Sequence, residues 1–530
     1  MNIFGKKDFL IYFIFGLLFI ASALVADYGH RVDQFPYYQD IKVDTDNVGN
    51  ALERNSLNST DLNQIEEPNK WLMRYRLYSV DADEVNNIMA LARINPGKFE
   101  FDPHHYSYGG GYLYPLGVWF YALNYFNIIQ VGDLNWIVEN PDEMDKIYHA
   151  GRIFVLLSFF ISMLFLFHAI RLLQTLRFAF IVSLIYLTIP SVLMFSLVMK
   201  PHVYSLLWVN IGIFLLVRSY SLNRFNSKDA TILGLTIGMA VGSIITFAGF
   251  AIIIWNFLAF LFWKRRIKFN NLIIVPLFAI ITFFLVNPYI ILNYEAFFME
   301  GAAQKSWFFV GLNIEYFWFF IINSLLPGLG IGFLGLFGYI LFSSIFFPKI
   351  QGQRFIGFNV FLIILFVSII SASVSSWHIN SRYIFYLIPL VLASYAFLAS
   401  SSTKILSIVF LMTSFHFFPL FLAYYDEDNL NYSTRLQSAK WINNNISKDK
   451  TVCTSGRSIA PYDSPPFDFF RIKVDREKCD FFISIERQVD QVFFELDKAL
   501  IKRFEPRLNF KAIPLVYSHI NPQISIYENN

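Results

Sequence analysis

Charge is what this sequence has least of. Only 15% of its 530 residues are Asp, Glu, Lys or Arg, against about 25% in a soluble domain. The formal net charge is +3, spread over many loops, which gives no case for a nucleic-acid partner. Cysteine is also scarce. Cys453 and Cys479 both lie in the C-terminal tail, away from any metal-like spacing, and a disulfide and two free thiols both stay open. No Gly-Lys-Ser/Thr follows Gly109, Gly110 and Gly111, so they are not a phosphate loop. Internal repeats and low-complexity tracts are missing too. In their place, 55% of residues are hydrophobic and 19% aromatic.

That material is arranged in long uncharged runs, and about 20 apolar residues in a helix cross a hydrocarbon core of about 30 Å. The first run, Phe9 to Ala26, follows Lys6 and Lys7. It is long for a signal peptide, and Leu24 spoils a small-x-small cleavage site before Asp27, so it reads as an uncleaved span. Further runs cover 151–170, 178–196, 203–219, 230–246, 247–263, 271–292, 325–347, 355–374, 382–399 and 404–424. The total is about 11 spans. Tyr114 to Val131, rich in Trp and Tyr, reads as an interfacial helix, as does Trp307 to Asn323.

Lys and Arg accumulate on the cytoplasmic side of a membrane. With the N-terminus inside, the inner loops hold Arg171 and Arg177; Arg218, Arg224 and Lys228; Lys264, Arg265, Arg266 and Lys268; Lys349 and Arg354; and Lys404. Were Tyr114 to Val131 a span, the 264–268 cluster would fall outside. The expected fold is therefore an α-helical polytopic membrane protein with four parts. These are a first transmembrane helix (1–26), an extracytoplasmic first loop with interfacial helices (27–149), a transmembrane bundle (150–425) and a small extracytoplasmic α/β domain (426–530). In that domain Thr434 to Asn444 reads as a helix, and Phe481 to Ile485 and Leu515 to Tyr517 as strands.

The densest polar chemistry is in the first loop: Asp81, Asp83, Glu84, Asn86 and Asn87, then Asp102 through Leu116 with His104, His105, Tyr108 and Tyr112. Acidic residues beside a membrane can ligate a divalent cation, act as a general base, or keep a loop wet. On spacing alone the wet loop is the default. Adjacent His104 and His105 project in different directions, which argues against a metal pair.

Several motifs in order resemble the GT-C membrane glycosyltransferases, in particular those related to protein O-mannosyltransferases and aminoarabinose transferases. They are Asp83-Glu84 followed by Asn86-x-x-x-Ala90-Leu91; Asp102-Pro103-His104-His105-Tyr106 running into Gly109-Gly110-Gly111-Tyr112-Leu113-Tyr114-Pro115; Ala150-Gly151-Arg152; Lys200-Pro201-His202; Asn287-Pro288-Tyr289; Asn380-Ser381-Arg382-Tyr383 with Pro389; and Ser438-Ala439-Lys440-Trp441-Ile442. The chain departs from the pattern in three places. About 50 residues from Asp27 to Tyr75 precede the acidic pair, His202 stands where Asp is usual, and Ile244 to Phe247 lacks the family's Thr-Lys-Tyr.

The resemblance implies an inverting transfer of a hexose or pentose from a polyprenyl-phosphate donor to a lipid, glycan or protein acceptor, on the extracytoplasmic face of a plasma (inner) membrane. Because phosphate is a good leaving group, one carboxylate base suffices. That role falls to Asp83, with Asp81 as the alternative. Arg382 and Lys200 are implied for the donor phosphate, since a guanidinium forks onto phosphate oxygens; otherwise they anchor helix ends or snorkel. Glu84, His104, His105, Tyr108, Tyr112 and Arg152 are the remaining substrate-side candidates. Arg152 is either a helix-start anchor or the partner that fixes the acidic loop. No cofactor or metal ligand set is implied, and a divalent cation stays open. The rival class is a polytopic transporter or lipid flippase, which brings ionisable groups or broken helices to the midplane.

Overall fold

The fold comes from a computed structural model that describes residues 6–30, 68–308, 320–346, 381–398, 403–454, 464–469, 471–474, 479–486, 498–507 and 520–529, with single positions at 315, 318 and 461. Most of the Asp27–Tyr75 insertion, most of Trp307–Asn323, the run at 355–374 and the strand at Leu515–Tyr517 lie outside these residues.

Apolar helices dominate. Among the described residues Pro141–Arg171, Pro201–Ser221, Ile245–Trp263, Phe269–Val286 and Lys404–Asp426 are long and apolar enough to cross a bilayer. Leu176–Thr188 and Pro190–Ser196 make a sixth if their 71° bend is one broken span. Phe9–Val25, Ile331–Phe342 and Leu387–Phe397 are shorter apolar helices. The chain is an integral membrane protein. Gly110–Tyr125 has 16 residues, about 24 Å of helix.

Local sequence explains the boundaries. Pro141 opens its helix with Asp142 and Glu143 in the first turn and His168 and Arg171 in the last, each sign matched to the helix dipole. This start in polar residues carries the helix ten residues ahead of the apolar run at 151. The 71° bend falls at Ile189, held extended by the following Pro190. Lys200 is extended for the same reason, before Pro201 begins the next helix. Asn226 and Asp229 close a capping box at the start of Ser227–Ser243.

The chain divides into two compact units. The first comprises Met1–Ala23, Asn87–Val118 and Ile153–Phe418. Within it, Gly234, Gly238 and Gly242 form a stripe facing the helix Phe269–Val286. A Cβ on Gly234 would lie 2.6 Å from the Val275 carbonyl, and one on Gly238 2.6 Å from that of Ala279. This is the small-residue packing that lets membrane helices approach closely.

The second unit comprises Leu24–Asn86, Trp119–Arg152 and Pro419–Asn530. It contains a five-stranded sheet in the order β2-β1-β3-β5-β4, from β1 (Thr451–Thr454), β2 (Lys473–Val474), β3 (Phe481–Glu486), β4 (Lys498–Phe504) and β5 (Gln523–Asn529). β1 pairs in parallel with β2 and β3, while β5 runs antiparallel to β3 and β4. The helix Thr434–Asn445 packs on this sheet through Ala439 and Ile442. The helix Pro68–Leu77, at the end of the insertion, adds Leu72 and Tyr75 to the same core, and the Tyr75 hydroxyl bonds Ser464 and the Pro465 carbonyl. Cys453 and Cys479 are joined in a disulfide.

Candidate active site

In the second unit the acidic turn is built around a buried ion pair. Arg152 and Glu84 are 1% and 0% exposed. Arg152 Nε donates to Glu84 Oε1 at 2.8 Å and Nη2 to Oε2 at 2.5 Å, a two-pronged pair, while Nη1 donates to the carbonyls of Ala26 and Tyr28. The guanidinium also lies 3.8 Å from the Tyr28 ring centroid. Buried charges persist where pairing and further hydrogen bonds offset their desolvation, and here Nε, Nη1 and Nη2 of Arg152 each have a partner.

Glu84 hands this order to the turn before it. Ser79 Oγ donates to Glu84 Oε2 at 2.5 Å and accepts from the Asp81 amide. Asp81 is buried, and its Oδ1 accepts from the Asp83 amide at 3.0 Å, the i to i+2 bond that closes an Asx turn. Asp83 itself is half-buried. Of the two candidate carboxylates, Asp81 caps the turn.

The remaining candidates lie in the first unit. The Gly109 amide donates to the Ser243 carbonyl at 3.0 Å and the Gly110 amide to Asn287 Oδ1 at 2.8 Å. A Cβ at Gly109 would fall 1.9 Å from the Gly242 carbonyl, so this approach requires glycine. Upstream, Asp102 accepts from the His104 amide, the Tyr106 hydroxyl and Asn293 Nδ2. Burial and the Asp102 carboxylate raise the Tyr106 phenol above its usual range. His104 sits at φ 48°, a left-handed conformation that a residue with a side chain keeps only when its surroundings hold it. Arg93 donates to its carbonyl at 3.0 Å.

Rings link this segment to Lys200. His105 lies 5.6 Å from Tyr108, Tyr108 6.2 Å from His202, and His202 5.1 Å from Phe195. Lys200, itself buried, places Nζ 5.8 Å from the Phe195 ring. Asn87 Nδ2 donates at 2.7 Å to the carbonyl of Met199, the residue before Lys200. Arg382 lies in the 3-10 turn Ser381–Ile384, and Phe385 directly after that turn packs on Phe195 at 5.2 Å. His105, Tyr108, Lys200 and the Arg382 turn thus share one connected cluster. Tyr112 is fully buried against Tyr204 and Phe154. Stacking on a sugar needs an open ring face, which Tyr112 lacks.

Sequence reasoning assigned no role to Ser79, Asn87, Asp102, Asn287 or Glu300. Asn287 stood in a quoted motif, whereas Glu300 carried no signal beyond being an acid in an aromatic segment. Among the described residues no group of three or more His, Cys, Asp or Glu side chains is arranged to hold a metal ion.

No protein-family model matches the chain, and no curated protein matches it. Among solved structures it is similar to ArnT from Cupriavidus metallidurans bound to undecaprenyl phosphate, at 12% identity and a TM-score of 0.44 over 96% of this chain and 97% of that one. It is also similar to the oligosaccharyltransferase of Archaeoglobus fulgidus in complex with zinc and sulfate, at 12% identity and a TM-score of 0.39 over 88% of this chain and 67% of that one.

Proposed function

We propose that this protein is an inverting glycosyltransferase that moves a sugar from a polyprenyl-phosphate donor to a hydroxyl acceptor on the extracytoplasmic face of a plasma (inner) membrane. The observation that carries the reading is the acidic turn. A loop kept wet by its acids has no need of a buried Arg152–Glu84 pair, a Ser79 bridge and a capping Asp81. Such a frame suits a carboxylate held in one geometry for chemistry.

In the proposed reaction the Asp83 carboxylate takes the proton of the acceptor hydroxyl as its oxygen attacks the anomeric carbon. The bond from that carbon to the phosphate oxygen breaks, and its electron pair leaves with the polyprenyl phosphate. Attack opposite the leaving group inverts the configuration. Lys200 and Arg382 meet the extra negative charge on the departing phosphate, which supports transfer best where it is stronger in the transition state than in the ground state. His104, His105 and Tyr108 contact the donor, and Glu84 and Arg152 position the turn. The Cys453–Cys479 disulfide supports an extracytoplasmic tail, because such bonds persist outside the reducing cytosol.

The test is transfer in nanodiscs, with polyprenyl-phosphate sugars supplied one at a time to wild type and to Asp83→Asn. Turnover of one donor by wild type, with loss of about 100-fold or more in the variant, is expected for a general base. No turnover of any donor by folded wild type with a broad acceptor extract sinks the reading and returns weight to a transporter or flippase. Loss in Asp81→Asn with Asp83→Asn intact moves the base to Asp81.

A further inference from the structure

We infer that Glu300 is a positioning residue that sets the 104–108 segment so that His105 and Tyr108 meet the donor; its functional half rests on the glycosyltransferase reading above. Glu300 comes from the helix Tyr294–Phe308, 193 and 194 residues after the amides it binds. Its Oε2 accepts from the Tyr106 amide at 2.8 Å, and its Oε1 accepts from the Ser107 amide at 2.8 Å and from the Ser107 hydroxyl. The His105 Nδ1 lies 3.6 Å from Oε1.

Consecutive backbone N–H groups turned to one side form a concavity for an anion, and here the chain's own carboxylate fills it with one oxygen on each amide. Glu300 is the seventh residue of its helix, beyond the first turn whose free amides an acid can cap. It therefore serves the loop and not its own helix end. One turn earlier, Phe297 packs edge-on against the Tyr106 ring at 6.0 Å, so a single helix face grips both Tyr106 and Ser107. The opposite face, with Phe298 and Met299, is exposed.

The consequence runs one step on each side. Before the gripped peptide stands His105, and after it Tyr108, the two rings in contact at 5.6 Å and Tyr108 reaching His202. Freed from Glu300, the segment keeps its anchors at Asp102 and Gly109 but loses the bonds that hold the Tyr106 and Ser107 amides between them.

Two measurements on the full chain in nanodiscs decide this. The first is hydrogen exchange of the 104–108 amides in wild type and Glu300→Ala. Exchange at Tyr106 and Ser107 should speed up about tenfold or more with the spanning helices unchanged, because local opening tracks the lost hydrogen bonds. Equal exchange in the two proteins overturns the inference, whether or not the protein transfers sugar.

The second is transfer kinetics. Glu300→Ala should raise the donor KM about tenfold while kcat falls less, as expected for lost binding of ground and transition states alike. Glu300→Gln should fall between wild type and alanine, since its oxygen can still serve Ser107 while its N–H₂ opposes the Tyr106 amide. In a His105→Ala background the effect of Glu300→Ala should largely vanish. A fall in kcat at unchanged KM that persists in that background means a merely structural role, and tighter donor binding in Glu300→Ala means that Glu300 obstructs the site; either overturns the inference. Wild type that transfers no sugar from any donor refutes the glycosyltransferase reading instead, and the exchange measurement still judges Glu300.

Discussion

Replacing Arg152 with Met tests the frame beneath the proposed base. The side chain it removes makes two bonds to Glu84, donates to two backbone carbonyls, and lies 3.8 Å from the Tyr28 ring centroid. Charge-assisted bonds are worth about 1.5–3 kcal/mol each, so a plain sum would pass 6 kcal/mol, roughly, before cation–π attraction. Desolvation of the guanidinium cancels much of that gain. What Arg152→Met exposes is the other side: Glu84, fully buried, is left as an unpaired charge, and breaking such a pair typically costs about 3–5 kcal/mol. Unfolding in mixed micelles, followed by tryptophan fluorescence, should register a loss of that size. Arg152→Met with Glu84→Gln should recover about 2 kcal/mol or more of it, because neutralising Glu84 removes the stranded charge. A single-variant cost below about 1 kcal/mol, or strict additivity in the double variant, refutes the argument that this pair is the keystone of the turn.

Two further outcomes follow from the same unit. His30 is buried with Nε2 2.8 Å from the Arg76 carbonyl, and burial first, then the nearby Arg152 charge, lowers its pKa to about 4. Between about pH 6.5 and 4 the unfolded chain binds a proton that the folded chain refuses, so stability should be full above 6.5 and drain away as pH falls to 4, by up to about 3 kcal/mol. Stability curves of wild type and His30→Leu should diverge across that window, and parallel curves would refute the assignment. Separately, Cys453 and Cys479 should resist a maleimide in membranes until a reductant is added. Labelling without reduction would remove both the disulfide and the support it lends to an extracytoplasmic tail.

How much of this was legible beforehand depends on how far apart the interacting residues stand in sequence. Apolar runs announce helices locally, and those at 203–219, 247–263 and 404–424 match Pro201–Ser221, Ile245–Trp263 and Lys404–Asp426 within a few residues. Proline is equally local: Pro190 stands at the 71° bend after Leu176–Thr188, and Pro288 follows Asn287, where the helix Phe269–Val286 ends. Helix starts were less visible, as at Pro141, because a helix that begins in polar residues and enters the membrane later has no hydropathy edge at its true start. The pairing of Arg152 with Glu84, 68 residues apart, was one of two readings of Arg152. Composition could not choose between an anchor and a partner, since both put an arginine at a span's polar end.

Asp81 and Asp83 show the boundary between what spacing holds and what folding adds. Spacing presents two equivalent carboxylates two residues apart, and any pattern match slides between them. In the folded turn a hydrogen bond from the Asp83 amide to Asp81 Oδ1 makes them inequivalent. That bond gives Asp81 a capping task that a proton on its carboxyl would weaken. A base must change protonation state once in every turnover. At Asp81 each such change would weaken the bond that closes the turn, and that cost is the physical ground for proposing Asp83 as the base.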